Sequence, residues 1–308
     1  MGKVAFVFPG QGSQAVGMGR AAAETDAGRQ VFARADAALG DSLSKLCFEG
    51  PEAELQLTAN AQPAILTTSI ALLHVLDREC DVTAGHSLGE YSANVAAGTL
   101  TFDAAVALVR KRGQYMQAAV PVGVGAMAAV LGGDSKTVER ICEETGGVVT
   151  PVNYNCPGQL VIAGEADSVA RASAALVEAG SKVKALPVSA PFHCALMKPA
   201  EERLAVDLNA AEFRDPQRPI YVNVEAAKVS SAEAAREALI RQVSRPVRWQ
   251  QSVEAMLEDG VSLFVEIGPG KVLVNMIKRI AKDVERVSVE TPKDVEAARA
   301  AIAKHRSA

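Results

Sequence analysis

The chain has 308 residues, of which 49% are hydrophobic and 22% charged, and its formal net charge is −4. This composition is ordinary for a globular protein with a sizeable core, and it gives no reason to expect nucleic acid as the partner. Five cysteines and four histidines are scattered without metal-ligand spacing, so we expect neither a metal nor disulfides. No apolar run suits a signal peptide or a bilayer span, which predicts a cytoplasmic protein without a membrane partner.

The first third of the chain alternates short apolar strands with helical patterns. A strand is predicted at 4–8, before the glycine-rich loop 9–14. Segment 64–76 is apolar on nearly all sides, which predicts a buried helix. Thr101 is placed to cap a further helix that runs to about Ala119. The other predicted elements of this part are the strand 81–84 and the helices 20–39, 51–57 and 88–97.

The next seventy residues change character. Short strands and two helices follow one another in the order βαββαβ, which is typical of a ferredoxin-like module. We therefore predict a small domain at 122–194, inserted into a larger discontinuous domain of residues 1–121 plus 195–308. The predicted elements of the insertion are the strands 125–131, 148–155, 159–163 and 182–189 and the helices 135–145 and 166–179.

Beyond the insertion, strands again alternate with helices. This rhythm predicts an α/β domain whose mainly parallel sheet is covered by helices on both faces. The predicted strands are 220–224, 261–267 and 287–290, and the helices are 199–208, 232–243, 247–258, 271–282 and 294–305.

A Gly-x-Ser-x-Gly motif at 85–89 stands between a predicted strand and a predicted helix. That context is typical of a nucleophile elbow, in which Ser87 occupies a sharp turn with its hydroxyl exposed at a helix N-terminus. Gly85 and Gly89 would let strand and helix pass closely. The backbone N–H of Leu88 would then point at an oxyanion formed by attack of the serine.

A serine hydroxyl needs a general base, and histidine is the usual one. His86 adjoins Ser87 and is badly placed to turn back on it, His74 lies on an apolar helix, and His305 is close to the C-terminus. This leaves His193, at the junction where the insertion returns to the large domain. Such junctions commonly line active sites.

The loop after the first strand has two interpretations. Residues 10–15 match the dinucleotide fingerprint G-x-G-x-x-A, but no second strand with a terminal acid follows at the required distance. The alternative is that Gly10 and Gly12 bring the backbone N–H of Gln11 beside Ser87, as a second oxyanion donor.

Arg112 lies on the bulkier stripe of its predicted helix, beside Leu108, Val109, Tyr115 and Met116. An inward-facing guanidinium needs an anion, and its planar fork matches a carboxylate. The partner is either an internal Asp or Glu or a carboxylate on the substrate.

Taken together, these motifs closely resemble the malonyl-CoA–acyl carrier protein transacylases, acyl-loading enzymes of fatty acid synthesis. The resemblance runs in family order from residue 4 to about residue 275. It implies a hydrolase-like α/β domain interrupted by a ferredoxin-like subdomain. The segments that carry it are 8–14, 61–64, 85–91, 112–116, 152–159, 192–193, 246–249 and 266–270.

The resemblance implies that Ser87 is the nucleophile and His193 the base, with the N–H groups of Gln11 and Leu88 as oxyanion hole. Arg112 would pair with the free carboxylate of malonate.

Two further assignments follow from the resemblance alone. A main-chain carbonyl orients the histidine in this family, and Gln242 matches that position. Phe192, directly before the histidine, would favour malonyl by excluding the extra methyl group of methylmalonyl.

The implied reaction transfers malonyl from malonyl-CoA to the phosphopantetheine thiol of acyl carrier protein, without cofactor or metal. The carrier is a transient and acidic partner, so we expect a basic local surface. The candidates are Arg245, Arg248, Lys271, Lys278, Arg279 and Lys282, although a solvated helix face explains them equally well.

Three alternatives stay open. The same Ser–His pair could serve a hydrolase or thioesterase on acyl-CoA, the carrier could belong to polyketide synthesis, or the chain could be a non-enzymatic binding subunit.

Overall fold

The computed structural model describes residues 2–188 and 190–307, which form two β-sheets with helices packed on them. Within these residues a sheet of order β10-β9-β1-β2-β7-β8 belongs to the large domain, and one of order β4-β5-β3-β6 belongs to the insertion. The strands are β1 (Lys3–Phe8), β2 (Val82–Gly85), β3 (Gly125–Leu131), β4 (Val149–Cys156), β5 (Gln159–Glu165), β6 (Lys182–Ala185), β7 (Ile220–Val222), β8 (Ala227–Val229), β9 (Val261–Ile267) and β10 (Glu285–Val289).

The helices cover both faces of the large sheet and one face of the small one. Two 3₁₀ turns, Ala195–Met197 and Pro292–Asp294, precede α10 and α14. The helices are α1 (Arg20–Ala23), α2 (Asp26–Leu39), α3 (Leu43–Glu49), α4 (Glu52–Leu55), α5 (Thr58–Leu76), α6 (Gly89–Ala96), α7 (Phe102–Ala118), α8 (Ser135–Thr145), α9 (Ala166–Glu178), α10 (Lys198–Ala210), α11 (Ala232–Gln242), α12 (Trp249–Glu258), α13 (Val272–Ile280) and α14 (Val295–Ser307).

The large sheet is mainly parallel, since β10, β9, β1, β2 and β7 run the same way and only β8 pairs antiparallel. Successive side chains of β1 point to opposite faces. Phe6 and Phe8 belong to the core shared with α5 and α7, whereas Ala5 and Val7 pack with α12 and α13. Burial on both faces explains the unbroken apolar run and confirms the predicted fold class.

The small sheet is antiparallel and carries α8 and α9 on one face. Its strand order, with the first strand between the third and the fourth, is that of a ferredoxin-like module. The side chains of Met127 and Val161 lie on the opposite face and pack into the core of the large domain. The sheet spans residues 125–185, inside the predicted insertion 122–194.

α5 is longer than predicted, because it begins at Thr58 and contains Pro63 instead of starting after it. A proline inside a helix loses one hydrogen bond, and burial of the helix on nearly all sides outweighs that loss. By length and composition α5 could cross a bilayer, but 72% of its most apolar window is buried inside the fold.

Several boundaries differ from the sequence prediction. The predicted helix 20–39 is two helices, because the Thr25 hydroxyl accepts the N–H of Gly28 and starts α2 anew. α3 and the short edge strand β8 were not predicted. The predicted strand 182–189 ends at Ala185, and Ser189 lies outside the described residues.

The insertion is tied to the large domain next to the elbow. The N–H of Val247 donates to the carbonyl of Val152, and the N–H of Tyr154 donates to the carbonyl of Val247. This parallel bridge joins β4 to the segment between α11 and α12. The two domains therefore meet along a hydrogen-bonded seam beside the carboxyl ends of β1 and β2.

Candidate active site

Ser87 occupies the turn between β2 and α6, at the carboxyl edge of the large sheet. Its φ of 51° lies in the left-handed region, which costs a residue other than glycine roughly 1 kcal/mol. A Cβ at Gly85 would lie 2.0 Å from the carbonyl carbon of Gly89, so only glycine allows this crossing. Asn223 holds the turn, since its side chain accepts from the N–H of Ser87 and donates to the carbonyl of Gly85, both at 2.7 Å.

The structure places His193 against the serine. Its Nε2 lies 2.7 Å from Ser87 Oγ, and its Nδ1 lies 2.7 Å from the carbonyl oxygen of Gln242. Because a carbonyl can only accept, Nδ1 carries the proton and Nε2 is free to accept one from the hydroxyl. Burial, together with the positive charge of Arg112, lowers the pKa of His193 to about 3. The imidazole is therefore a neutral base at physiological pH.

Arg112 is fully buried and reaches the same hydroxyl, with Nη2 3.2 Å from Ser87 Oγ. Nη1 donates to Gln62 Oε1 at 2.8 Å and Nη2 to Gln242 Oε1 at 2.9 Å. Within the described part of the chain it forms no ion pair, so the internal carboxylate considered from the sequence is not found. Its Nε has no hydrogen-bond partner there either, so protein acceptors do not saturate the guanidinium.

The first loop forms another wall of the site. A Cβ at Gly10 would lie 2.4 Å from the carbonyl oxygen of His86, so glycine is needed for the loop to reach the elbow. Gln11 is thereby brought into the cleft that contains Ser87. Across residues 2–188 and 190–307, neither the N–H of Gln11 nor that of Leu88 donates a hydrogen bond to another protein group. Gln11 lines the cleft, whereas Leu88 is fully buried.

A cleft of about 360 Å³ joins these groups between the two domains. Phe192 lines it beside His193 and is 8% exposed. Met116, Met127 and Met276 are among its apolar lining residues, whereas Arg112 supplies positive charge. The predicted basic residues lie outside the cleft and are exposed. Of these, Arg279 donates to the carbonyl of Pro157 at 2.6 Å and so connects α13 to the insertion.

The other histidines lie elsewhere, as the sequence argument predicted. His86 points away from Ser87, with Nε2 2.9 Å from Asn155 Oδ1 on β4. His74 is exposed on α5. His305 is less peripheral than expected, because α14 continues to Ser307 and Nε2 of the imidazole lies 2.8 Å from the hydroxyl oxygen of Ser262.

Sequence reasoning missed three polar residues of the site. Gln62 and Asn223 contact Arg112 and Ser87 directly, and Glu90 accepts from the backbone N–H of Asn223 at 2.8 Å. A signal existed in each case. Gln62 and Glu90 stand in two of the segments that carry the resemblance, and Asn223 is a polar residue within the predicted strand 220–224. Nothing local indicated what they contact.

Comparisons with known proteins show the family of this chain. Residues 5–298 match the family model of the acyl transferase domain. A malonyl CoA-acyl carrier protein transacylase of Bacillus subtilis (strain 168) is 47% identical over 307 residues, which cover 97% of this chain and 96% of the relative.

Solved structures give the same picture. An acyl carrier protein S-malonyltransferase from Vibrio cholerae has a TM-score of 0.94 and 46% identity, covering 96% of this chain and 99% of its own. A malonyl-transacylase in complex with a type II PKS acyl-carrier protein also has a TM-score of 0.94 and 46% identity, with 96% and 98% covered. The chain therefore belongs to the acyl transferase domain family and, within it, to the malonyl CoA-acyl carrier protein transacylases.

Proposed function

We propose that this chain transfers the malonyl group from malonyl-CoA to the phosphopantetheine thiol of acyl carrier protein, for fatty acid biosynthesis, through an ester on Ser87. One observation carries the proposal. A hydroxyl, a neutral imidazole at 2.7 Å and a buried guanidinium at 3.2 Å meet in a single cleft. Such a site can activate a nucleophile and bind a carboxylate together, which is what a malonyl thioester requires.

In the first half-reaction, Ser87 Oγ attacks the thioester carbonyl while His193 Nε2 accepts the hydroxyl proton. The new C–O bond forms as the carbonyl π bond breaks, and the oxyanion would accept from the N–H groups of Gln11 and Leu88. The C–S bond then breaks, and the imidazolium returns the proton to the departing CoA thiolate. The carbonyl of Gln242 keeps Nδ1 protonated throughout.

Arg112 would hold the free carboxylate of the malonyl group. The side-chain oxygens of Gln62 and Gln242 fix its guanidinium without neutralising it. A carboxylate entering the cleft therefore meets a desolvated charge, and charge-assisted hydrogen bonds are strong in such surroundings. Phe192 narrows the cleft next to His193 and is the proposed barrier to a methyl-branched acyl group.

In the second half-reaction, the carrier thiol attacks the malonyl-serine ester, His193 takes the thiol proton, and Ser87 leaves as the hydroxyl. This double displacement gives ping-pong kinetics. The chemistry as proposed needs no metal and no cofactor, because every proton and charge is handled by these side chains and amides. The exposed basic residues around α13 and the 245–248 segment are the proposed contact for the acidic carrier.

We also propose a cytoplasmic location, without a membrane or nucleic-acid partner. The thiols support it, because all of them are free and buried, as expected where cysteines stay reduced.

Thioester hydrolysis is the competing activity, because the same Ser–His pair could pass the acyl group to water. The polyketide alternative concerns only the carrier, and the structural relative solved with a type II PKS acyl-carrier protein keeps it open. Intact-mass measurement after incubation with malonyl-CoA separates these functions. We expect a malonyl adduct on Ser87 that persists in buffer and is discharged by added holo-acyl carrier protein.

The matched control replaces the carrier with its apo form, which lacks the phosphopantetheine thiol and should leave the adduct intact. Rapid release of malonate at a rate that holo-carrier does not change would overturn the proposal in favour of a hydrolase. Presenting fatty acid and polyketide carriers side by side assigns the pathway by their relative discharge rates.

A further inference from the structure

Glu90 is a fully buried carboxylate that the proposed reaction does not use. It lies in the first turn of α6, three residues after Ser87, and has no exposed surface. Its Oε2 accepts two hydrogen bonds, from the backbone N–H of Asn223 at 2.8 Å and from Nε2 of Gln242 at 2.9 Å. Its Oε1 has no partner among residues 2–188 and 190–307. A buried carboxylate with a free oxygen is costly, so its retention calls for a reason.

The Gln242 amide links Glu90 to Arg112. Its Nε2 donates to Glu90 on one side, and its Oε1 accepts from Arg112 Nη2 at 2.9 Å on the other. The anion and the guanidinium are thus connected through a single amide and make no direct contact. Such an arrangement polarises the amide in the sense that strengthens both hydrogen bonds.

The orientation of this amide decides what Arg112 meets. If the amide turned over, its NH₂ would face the guanidinium, donor against donor, and its oxygen would face the Glu90 carboxylate, acceptor against acceptor. Nε2 also lies 3.0 Å from the carbonyl of Ser87 and 3.2 Å from Asn223 Oδ1, both of which can only accept in these contacts. Glu90 Oε2, at 2.9 Å, is the nearest of these three acceptors and therefore contributes most to the choice.

We propose that Glu90 is a positioning residue for the carboxylate clamp: by accepting from Gln242 it fixes the amide whose oxygen holds Arg112 in the cleft. The inference rests on the proposed function, since it assigns the device that prepares Arg112 for a malonyl carboxylate. A second contact, to the backbone of Asn223, supports the elbow itself, and this effect is common to every acyl group. Because acetyl-CoA has no free carboxylate, the change in its kcat/KM measures this effect on the elbow alone.

The test compares two substitutions of similar length. Glu90→Gln can place its amide oxygen where Oε2 lies and its NH₂ where the unpartnered Oε1 lies, so both hydrogen bonds survive. Glu90→Met fills similar space without an acceptor. We measure kcat/KM for Ser87 acylation with malonyl-CoA and with acetyl-CoA.

We expect Glu90→Met to lower the malonyl-to-acetyl ratio of kcat/KM by about tenfold or more, the range expected for losing a hydrogen bond to a charged group. Glu90→Gln should keep the ratio within about threefold of that of the unmodified protein, because it restores the acceptor. An unchanged ratio in folded Glu90→Met protein would overturn the inference.

Two further variants separate positioning from general loss of stability. Glu266→Gln alters another buried carboxylate, one that contacts neither Gln242 nor Arg112, and should keep the ratio even where it lowers the melting temperature. Should Glu90→Met fail to fold, Glu90→Asp retains the charge but shortens its reach, and the same fall in the ratio is expected. A ratio preserved in Glu90→Asp would equally count against the inference.

Failure of the proposed function looks different. If the unmodified protein forms no malonyl adduct, both the function and this inference fall together. If the unmodified protein forms the adduct but the ratio is insensitive to residue 90, the function stands and only the inference is overturned.

Discussion

Two strand–turn–helix units at the carboxyl edge of the same sheet invite comparison. β2 leads through residues 86–88 into α6, and β9 leads through residues 268–271 into α13, and the two strands flank β1. Each unit contains a fully buried glutamate, Glu90 in the first and Glu266 in the second. Burial raises the pKa of both carboxyl groups to about 7.

The two carboxylates differ in what they contact. Glu266 accepts from the N–H groups of Leu273 and Val274, seven and eight residues away, and so completes its own turn at the start of α13. Glu90 accepts from Asn223 and Gln242, which are 133 and 152 residues away. One buried charge stabilises a local turn, whereas the other joins distant segments around the reacting serine.

The turns differ in the same sense. In β9–α13 the positive φ angles belong to Gly268 and Gly270, where they cost little. In β2–α6 the positive φ belongs to Ser87 itself, so strain is accepted where a side chain is needed. The two units therefore share one architecture, but only the β2–α6 unit, which contains the reacting serine, combines a strained residue with polar contacts to distant segments.

The largest expected effect comes from removing the hydroxyl at the strained turn. Ser87→Ala should form no malonyl adduct and should lower transfer by about 10³-fold or more, because no nucleophile remains. Intact mass and carrier loading measure both. Ser262→Ala is the matched control, since Ser262 on β9 also contacts a histidine at 2.8 Å but lies outside the cleft. Equal losses in the two variants would contradict the assignment.

The next effect concerns the buried guanidinium. Arg112→Ala should lower kcat/KM for malonyl-CoA by about 10²-fold or more, the order expected when one partner of a buried charge pair is lost. Acetyl-CoA should suffer much less. Arg110→Ala, on the same helix but paired with Asp41 near the surface, should affect neither acyl group. Comparable losses with both acyl groups would exclude a carboxylate clamp.

A smaller effect sharpens the comparison of the two glutamates. Glu266→Gln should cost about 1–3 kcal/mol of unfolding free energy, because both carboxylate oxygens accept from α13 and an amide NH₂ cannot. Glu90→Gln should cost less, because only one oxygen accepts. Urea denaturation of both variants measures the loss of unfolding free energy. A larger loss for Glu90→Gln than for Glu266→Gln would contradict the assigned roles of the two glutamates.

The pH dependence of Glu90→Gln has a definite sign. The folded-state pKa of Glu90, about 7, lies above its ordinary value of 4.5, so its contribution to stability is present below pH 4.5 and is lost as pH rises through 7. Arg112 opposes this shift and Glu225 reinforces it. Glu90→Gln lacks this loss, so its stability relative to the unmodified protein should rise over that range. A difference in unfolding free energy between the two proteins that stays constant over this pH range would contradict the raised pKa of Glu90.

The smallest expected effect is the absence of a histidine titration step from the dependence of kcat/KM on pH. Because the pKa of His193 is lowered to about 3, its neutral form should persist across the usual range of assay pH. In the Glu90→Gln variant, kcat/KM for acylation should therefore vary less than about threefold between about pH 5 and 8. The same shift means that stability due to neutral His193 is present above pH 6.5 and lost as pH falls toward 3. An inflection of kcat/KM near pH 6.5 would mean that His193 has the pKa of an ordinary histidine and would contradict this prediction.

Much of the fold could be predicted, because hydrophobic periodicity reports burial directly. α8, β3 and β9 have the predicted limits, since each has a clear pattern and clear end signals. β8 was not predicted, because a three-residue edge strand is mostly exposed and shows no hydrophobic periodicity. The break between α1 and α2 at Thr25 was not predicted, because a side-chain cap interrupts a sequence that otherwise has a continuous helical pattern.

The candidate site was predicted only as far as local motifs reach. Ser87 has its glycines, His193 was found by elimination, and Arg112 stands out on an apolar stripe. Gln242 came from resemblance alone, and the structure places its carbonyl oxygen 2.7 Å from His193 Nδ1. Asn223 could not be predicted, because its role depends on contacts 136 and 138 residues away in the chain.

The parallel bridge between β4 and Val247 has a consequence for engineering. Deleting the insertion to obtain a minimal enzyme would remove more than a lid, because His193 lies at its edge and Asn155 secures His86. Exchanging the insertion for that of a relative would also leave the strand-like segment around Val247 with an unmatched neighbour. A functional graft should therefore transplant residues 242–249 together with the insertion, as one unit.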